Sequence, residues 1–194
     1  MDLYPTPHPV GVIPQFCQHR TPIALRIREK KVSWTGDDFK IKDAATGAVI
    51  FEVDGKAFSL HARKKFLDAS GNHLFTLLKK HFHIHTTFEG QDPNEKTLFT
   101  IKSSFSLGTK LTATYTNPTT GQEEQLVLKG DFFDRKAEIK WGDVVVARIS
   151  REFVNAGQLL FDQQTYVLTV APNVDAALLV AFCVALDEKS NESS

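Results

Sequence analysis

Apolar and polar positions alternate along most of this chain. "FKIKDAATGAVIFEVDG" (39–55) is two alternating runs joined at Thr46-Gly47, and "KKFLDASGNHLFTLL" (64–78) repeats the scheme around Ser70-Gly71-Asn72. "LTATYTNPTTGQEEQLVLKG" (111–130) does so through Asn117-Pro118-Thr119-Thr120-Gly121, and "AEIKWGDVVVARI" (137–149) turns at Gly142-Asp143. A period of two is the strand signature, and two such runs joined through a glycine read as a hairpin. Further strand-like runs are "IALRIREK" (23–30), "HFHIHTTF" (81–88), "KTLFTIK" (96–102) and "TYVLTV" (165–170). The total is about a dozen short strands with short connections, the spacing of a sandwich or barrel. No long amphipathic helix separates them, so a parallel α/β sheet is not expected.

One stretch departs from this rule. "VDAALLVAFCVALDE" (174–188) holds an unbroken apolar run from Ala176 to Leu186, fenced by Asp175 and by Asp187-Glu188. Alanine at 176, 177, 181 and 185 favours helix and is depleted in strands. Such a run reaches only about 16 Å as a helix, against roughly 30 Å for a bilayer core, so it is too short to cross unaided. Asp175 is placed as N-cap or first-turn acid, while Asp187-Glu188 at the far end opposes the macrodipole at a small cost. A helix apolar all round must be buried all round. The pattern therefore predicts a mainly β fold: a closed antiparallel barrel of about twelve strands around a central hydrophobic C-terminal helix at 174–187. A sandwich with the helix in a groove is the weaker alternative, because it leaves one helix face wet. Residues 1–15, with four prolines, read as an extended, poorly ordered arm, 16–188 as one barrel domain, and 189–194 as a disordered tail.

Charge narrows the function classes. The 194 residues carry 23 basic and 23 acidic side chains, so the global positive field of a nucleic-acid binder is absent and no nucleic acid is expected. Residues 20–80 are locally basic, with 13 Lys and Arg against 7 Asp and Glu, a formal +6. Cys17 and Cys183 allow at most one disulfide, which suits a reducing compartment. Cys183, inside the apolar run, reads as an inert core thiol, and Cys17 as a small buried residue. The N-terminus has no charged region followed by an apolar one, so it does not read as a signal peptide, and a cytoplasmic, monomeric protein is expected.

Several stretches carry a resemblance. "FCQHRTPIALRIREKKVSW", "DFKIKDAATGAVIFEVDGKAFSLHARKKFLDASGNHLFTL" and "YVLTVAPNVDAALLVAFCVALDE" are similar to the LURP-one-related family from about Phe16 to Glu188. The ordered series is Cys17, the Asp43…Gly47…Phe51 hairpin, Leu60-His61, Leu67-Asp68…Gly71, and Val170…Pro172-Asn173-Val174-Asp175 before the apolar run. The resemblance implies a tubby-like fold, a twelve-stranded barrel around a hydrophobic C-terminal helix, and kinship with tubby domains and phospholipid scramblases. The family's usual Trp after the second basic run is replaced here by Phe88 in "HIHTTFEG".

Chemistry-bearing clusters are sparse. His81, His83 and His85 share one face if 81–88 is a single strand. His81 and His85 would then lie roughly 13 Å apart at Cα, too far for one ion without a bulge. With Phe82, Ile84 and Phe88 turned to the core, a solvated polar face is expected and no metal site. Ser59 and His61 have no third member and no nucleophile elbow. The glycines sit in turns without a GxGxxG or P-loop arrangement, and the carboxylates are scattered at turns. An enzyme is therefore not expected, nor a cofactor.

The basic segment is the functional lead. In 23–30, Arg26, Arg28 and Lys30 alternate with Ile23, Leu25 and Ile27; in 58–66, His61, Arg63 and Lys65 form a second row, and Lys79 and Lys80 follow. If these strands are neighbours, the cations converge on a patch suited to an anionic lipid head group at a membrane surface. Convergence on one head group requires that 23–30 and 58–65 be adjacent or one strand apart, and that Glu52 and Asp54 not intervene. The plain alternative is a solvated barrel exterior. Tubby domains bind phosphoinositides, so the resemblance implies phosphoinositide binding. A protein-interaction or scaffold module in signalling or defence is the second reading, and scramblase-like lipid transport a distant third.

Overall fold

Four of the hairpin turns are set by an acidic or amide side chain at their first position. In the computed structural model, which describes residues 2–28, 39–54, 63–82, 85–104, 109–131, 136–151 and 165–191, Asp43 accepts hydrogen bonds from the backbone of Ala45 (3.1 Å) and Thr46 (2.7 Å). Asp68 does the same for Ser70 and Asn72, Asp92 for Asn94 and Lys96, and Asn117 for Thr119. Such Asx turns compete with strand continuation and fold the chain back.

The hairpins join into one closed sheet. The strands are β1 (Ile23–Arg28), β2 (Phe39–Asp43), β3 (Val49–Asp54), β4 (Arg63–Asp68), β5 (His73–Phe82), β6 (His85–Gln91), β7 (Thr97–Ser104), β8 (Thr109–Thr116), β9 (Glu123–Asp131), β10 (Lys136–Trp141), β11 (Val144–Arg151) and β12 (Thr165–Val170). Each pairs antiparallel with its neighbours in sequence, and β1 closes on β12 with Leu25 opposite Leu168. Closure leaves no unpaired edge. The inward rows bury Leu25, Ile41, Phe51, Phe66, Phe75, Phe88, Phe99, Ile101, Leu111 and Leu128. At Gly90 a Cβ would stand 2.2 Å from the Phe99 ring, so glycine is what lets that ring lie flat on β6.

Helix α1 (Ala176–Asn191) fills the interior, and every residue from Ala176 to Leu186 is at most 4% exposed. The mainly β barrel with a central C-terminal helix expected from the pattern is the architecture found. The helix continues past the expected end at 187, through Lys189 to Asn191. Its acidic end is compensated: the Tyr166 hydroxyl donates to Asp187 (3.1 Å), and Lys64 (2.6 Å) and Lys79 (3.8 Å) flank Glu188. No helix among the described residues is long and apolar enough to cross a membrane.

The N-terminal arm is extended, but it is not loose. Leu3, Thr6 and Val10 are buried, and Phe16 packs edge-on against Phe51 with ring centroids 4.9 Å apart. Val10 forms a parallel bridge to Val174: its N–H donates to Asn173 O and its carbonyl accepts from Asp175 N–H, both at 2.9 Å. The Asn173 amide donates to Thr6 O. The poorly ordered arm predicted from proline content is thus replaced by a strap across the barrel end where α1 enters. Its backbone donors and acceptors find partners there, which composition cannot reveal.

Candidate binding surface

The cations singled out from the sequence fall into three groups. Arg26 and Arg28 are exposed on β1, and Arg63 and Lys65 on β4, each row alternating with a buried one: Leu25 and Ile27, then Phe66. Lys79 and Lys80 part company. Lys79 shares the inward face of β5 with Phe75 and Leu77, and its side chain is only 9% exposed beside Glu188. Lys80 faces outward and pairs with Glu89 across β6. That ion pair and the Thr97 hydroxyl hold the Glu89 carboxyl down at about 2. Lys30, Ser59 and His61 lie outside the described residues.

The barrel order decides whether the two rows converge. β2 and β3 stand between β1 and β4, so the rows are three strand steps apart, about 14 Å at 4.8 Å per step. The intervening outward positions alternate in sign. Lys42 lies opposite Arg26, Lys40 pairs with Glu52 at 3.2 Å, and Asp54 lies opposite Lys65. One head group cannot span this. The condition for convergence, adjacency or a single intervening strand, is not met, and Glu52 and Asp54 do intervene.

The histidine expectation changes for a topological reason. Residues 81–88 are not one strand: β5 ends at Phe82 and β6 begins at His85, with Phe82 opposite His85. His81 and His85 therefore stand on different strands, His83 lies outside the described residues, and the shared-face geometry does not apply. Among the described residues no group of three His, Cys, Asp or Glu side chains is placed to hold a metal ion. Both thiols are buried. Burial first, then the Asp175 charge, pushes Cys17 up to about 12, and burial raises Cys183 well above its ordinary value.

Other outward cations escaped the sequence reading. Lys102 on β7 and Lys129 on β9 are exposed, and Lys110 on β8 is half-buried, directly opposite Lys129. The signal was present, since each alternates with a buried Ile101, Leu111 or Leu128, but these lysines are isolated in sequence and lie outside the basic segment. Among the described residues no acidic side chain forms an ion pair with Arg63, Lys65, Lys102 or Lys129.

The comparisons with known proteins agree with this architecture. A solved X-ray structure of an Arabidopsis thaliana protein is similar with a TM-score of 0.64 and 25% identity, covering 93% of this chain and 98% of that one. Among curated proteins of Arabidopsis thaliana, Protein LURP-one-related 15 is 29% identical over 97% of this chain and 90% of its own length. Protein LURP-one-related 1 is 30% identical over 95% and 85%. The LURP-one-related family model matches residues 23–187, the whole barrel and all but the last turn of its helix, and the chain belongs to that family.

Proposed function

We propose that this protein is a non-enzymatic binding module that recognises anionic lipid head groups, phosphoinositides among them, at a membrane surface through cations on its outer wall. The observation that carries the reading is the set of exposed strand cations, Arg28, Arg63, Lys65, Lys102 and Lys129, standing over buried apolar rows. The interior is filled by α1, which directs recognition to the outside of the barrel. The spread of these cations favours several head groups in a plane over one head group in a pocket. Surface cations near an anionic leaflet contribute about 1 kcal/mol each, or roughly five-fold in binding.

Sedimentation with phosphatidylcholine vesicles, with and without phosphoinositide, tests the reading. Binding is expected only with the anionic vesicles, weakening as salt rises and falling roughly five-fold for Arg28→Ala and for Arg63→Ala. Equal behaviour toward neutral and anionic vesicles would sink the lipid reading. Retention of an acidic protein in its place would favour an interaction module.

A further inference from the structure

Outward side chains of four neighbouring strands form one row on the barrel wall. Thr169 on β12 lies directly opposite Arg148 on β11, Arg148 opposite Glu138 on β10, and Glu138 opposite Lys129 on β9. At about 4.8 Å per strand step the row spans about 14 Å. Arg148 Nε donates to Glu138 at 3.1 Å, which draws the guanidinium toward β10 and the Lys129 side of the row. The row therefore reads hydroxyl, cation, anion, cation, with one positive charge in excess. Ser150, two residues along β11 from Arg148, adds a second outward hydroxyl.

This row is the floor of a groove of about 870 Å³. Its apolar wall is Leu3 of the strap and Pro22, just ahead of β1, and Asp2 stands beside them. Leu3 is only 8% exposed. The strap is pinned there by backbone and amide groups: the Thr6 N–H donates to Pro172 O, and the Asn173 amide donates to Thr6 O. Small-molecule sites combine an apolar lining with a few placed polar groups in roughly 300–1,000 Å³, and this groove has both the size and the mixture.

The geometry points to a site for an amphiphilic organic anion, a carboxylate or phosphate monoester whose head meets Lys129 and Arg148 and whose alkyl body lies along Leu3 and Pro22. One negative charge on the ligand balances the floor, and the Ser150 and Thr169 hydroxyls can donate to it. A bare phosphate would leave the apolar wall wet, and a neutral alkyl chain would leave the cations without a counter-charge. The occupant is a single molecule taken from water, so the inference goes beyond the lipid-surface reading and does not rest on it.

Calorimetric titration of the full chain tests the site with four probes below their micelle concentrations: decanoate, decyl phosphate, decanol and inorganic phosphate. The two alkyl anions are expected to bind one-to-one, and decanol and inorganic phosphate at least about ten-fold more weakly. The tighter of the two anions assigns the head as carboxylate or phosphate. From hexanoate to decanoate, affinity should rise about two- to four-fold per methylene. Lys129→Ala should weaken decanoate roughly ten-fold, and Asp2→Asn, which removes the acid beside the wall, should tighten it roughly two-fold. Decanol equal to decanoate, inorganic phosphate equal to decyl phosphate, or wild-type affinity in Lys129→Ala would overturn the site, as would no binding of either anion. Vesicle sedimentation decides the lipid reading separately. Arg63→Ala, on β4 and four strand steps from β12, should weaken vesicle binding and spare decanoate. A chain that takes decanoate but ignores anionic vesicles would overturn the lipid reading alone.

Discussion

Asp175 is fully buried, and its two oxygens serve parts of the chain that are remote in sequence. Oδ1 accepts from the N–H groups of Ala177 (2.9 Å) and Leu178 (3.2 Å), capping α1, while Oδ2 accepts from Val12 (3.0 Å) and Ile13 (2.8 Å) of the strap. Replacing it with Asn turns an N–H₂ toward two donors and unties the strap. We expect Asp175→Asn to cost about 2–4 kcal/mol in urea unfolding. Burial pushes the carboxyl up to about 6, against the pull of the four N–H donors. A folded value above the unfolded one, about 3.9, makes the stability from this group complete below pH 4 and progressively lost as pH rises through 6. The cost of Asp175→Asn is therefore expected to be greatest near pH 4; a cost that grows toward pH 7 would contradict this. Gly11, at φ 141°, is the strap's counterpart. A Cβ there would stand 2.1 Å from Asp175 Cβ, so Gly11→Ala should destabilise by roughly 2 kcal/mol or more. The cap was legible in "PNVDAALL", a carboxylate just before an apolar run. The second role was not, because "PVGVIP" carries no local sign of a partner more than 160 residues away.

At the scale of elements, the barrel and its helix depend on each other. The inward phenylalanines of β3 to β7 share one core with α1, Phe66 stacking on Phe75 and Phe75 meeting Phe99 edge-on, and Phe182 is fully buried. Phe182→Asp places a charge inside that interior, and truncation before Asp175 empties it. Neither chain should give a cooperative melt by circular dichroism; soluble, two-state material from either would show that the walls stand alone. The hairpins with glycine and Asx signals were read correctly because turn chemistry is local. The β5–β6 boundary was missed because residues 82–85, "FHIH", contain no Gly, Pro, Asn or Asp, and alternation runs through them unbroken. Lys79 was misplaced for the same kind of reason. Alternation says that Lys79 and Lys80 face opposite ways, but not that the inward one reaches a carboxylate at the end of α1.

For the molecule as a whole, the fold followed from one contrast, strands everywhere and a helix greasy on all sides. The binding surface did not, because it is set by strand order around a closed ring, and order is a property of pairing that composition leaves open. Screening follows from the exposed cations of the outer wall. Added salt should slow vesicle association more than it speeds dissociation, since the long-range field is lost first. Stopped-flow binding across salt concentrations checks this, and an effect confined to the dissociation rate would argue against steering.

The pairing of β1 with β12 sets a schedule for the chain as it is made. The first strand emerges early, but its partner and the helix that fills the interior come last. Until residue 191 has been added, Phe51, Phe66, Phe75, Phe88 and Phe99 line a trough that nothing yet occupies. A nascent chain in that state is an aggregation hazard and a natural client for holding chaperones. Pairing the two ends also demands closure of a loop as long as the domain, which slows folding of a closed sheet. Synthesis slowed over the codons of β12 and α1 should therefore lower the yield of folded protein more than the same delay over those of β1.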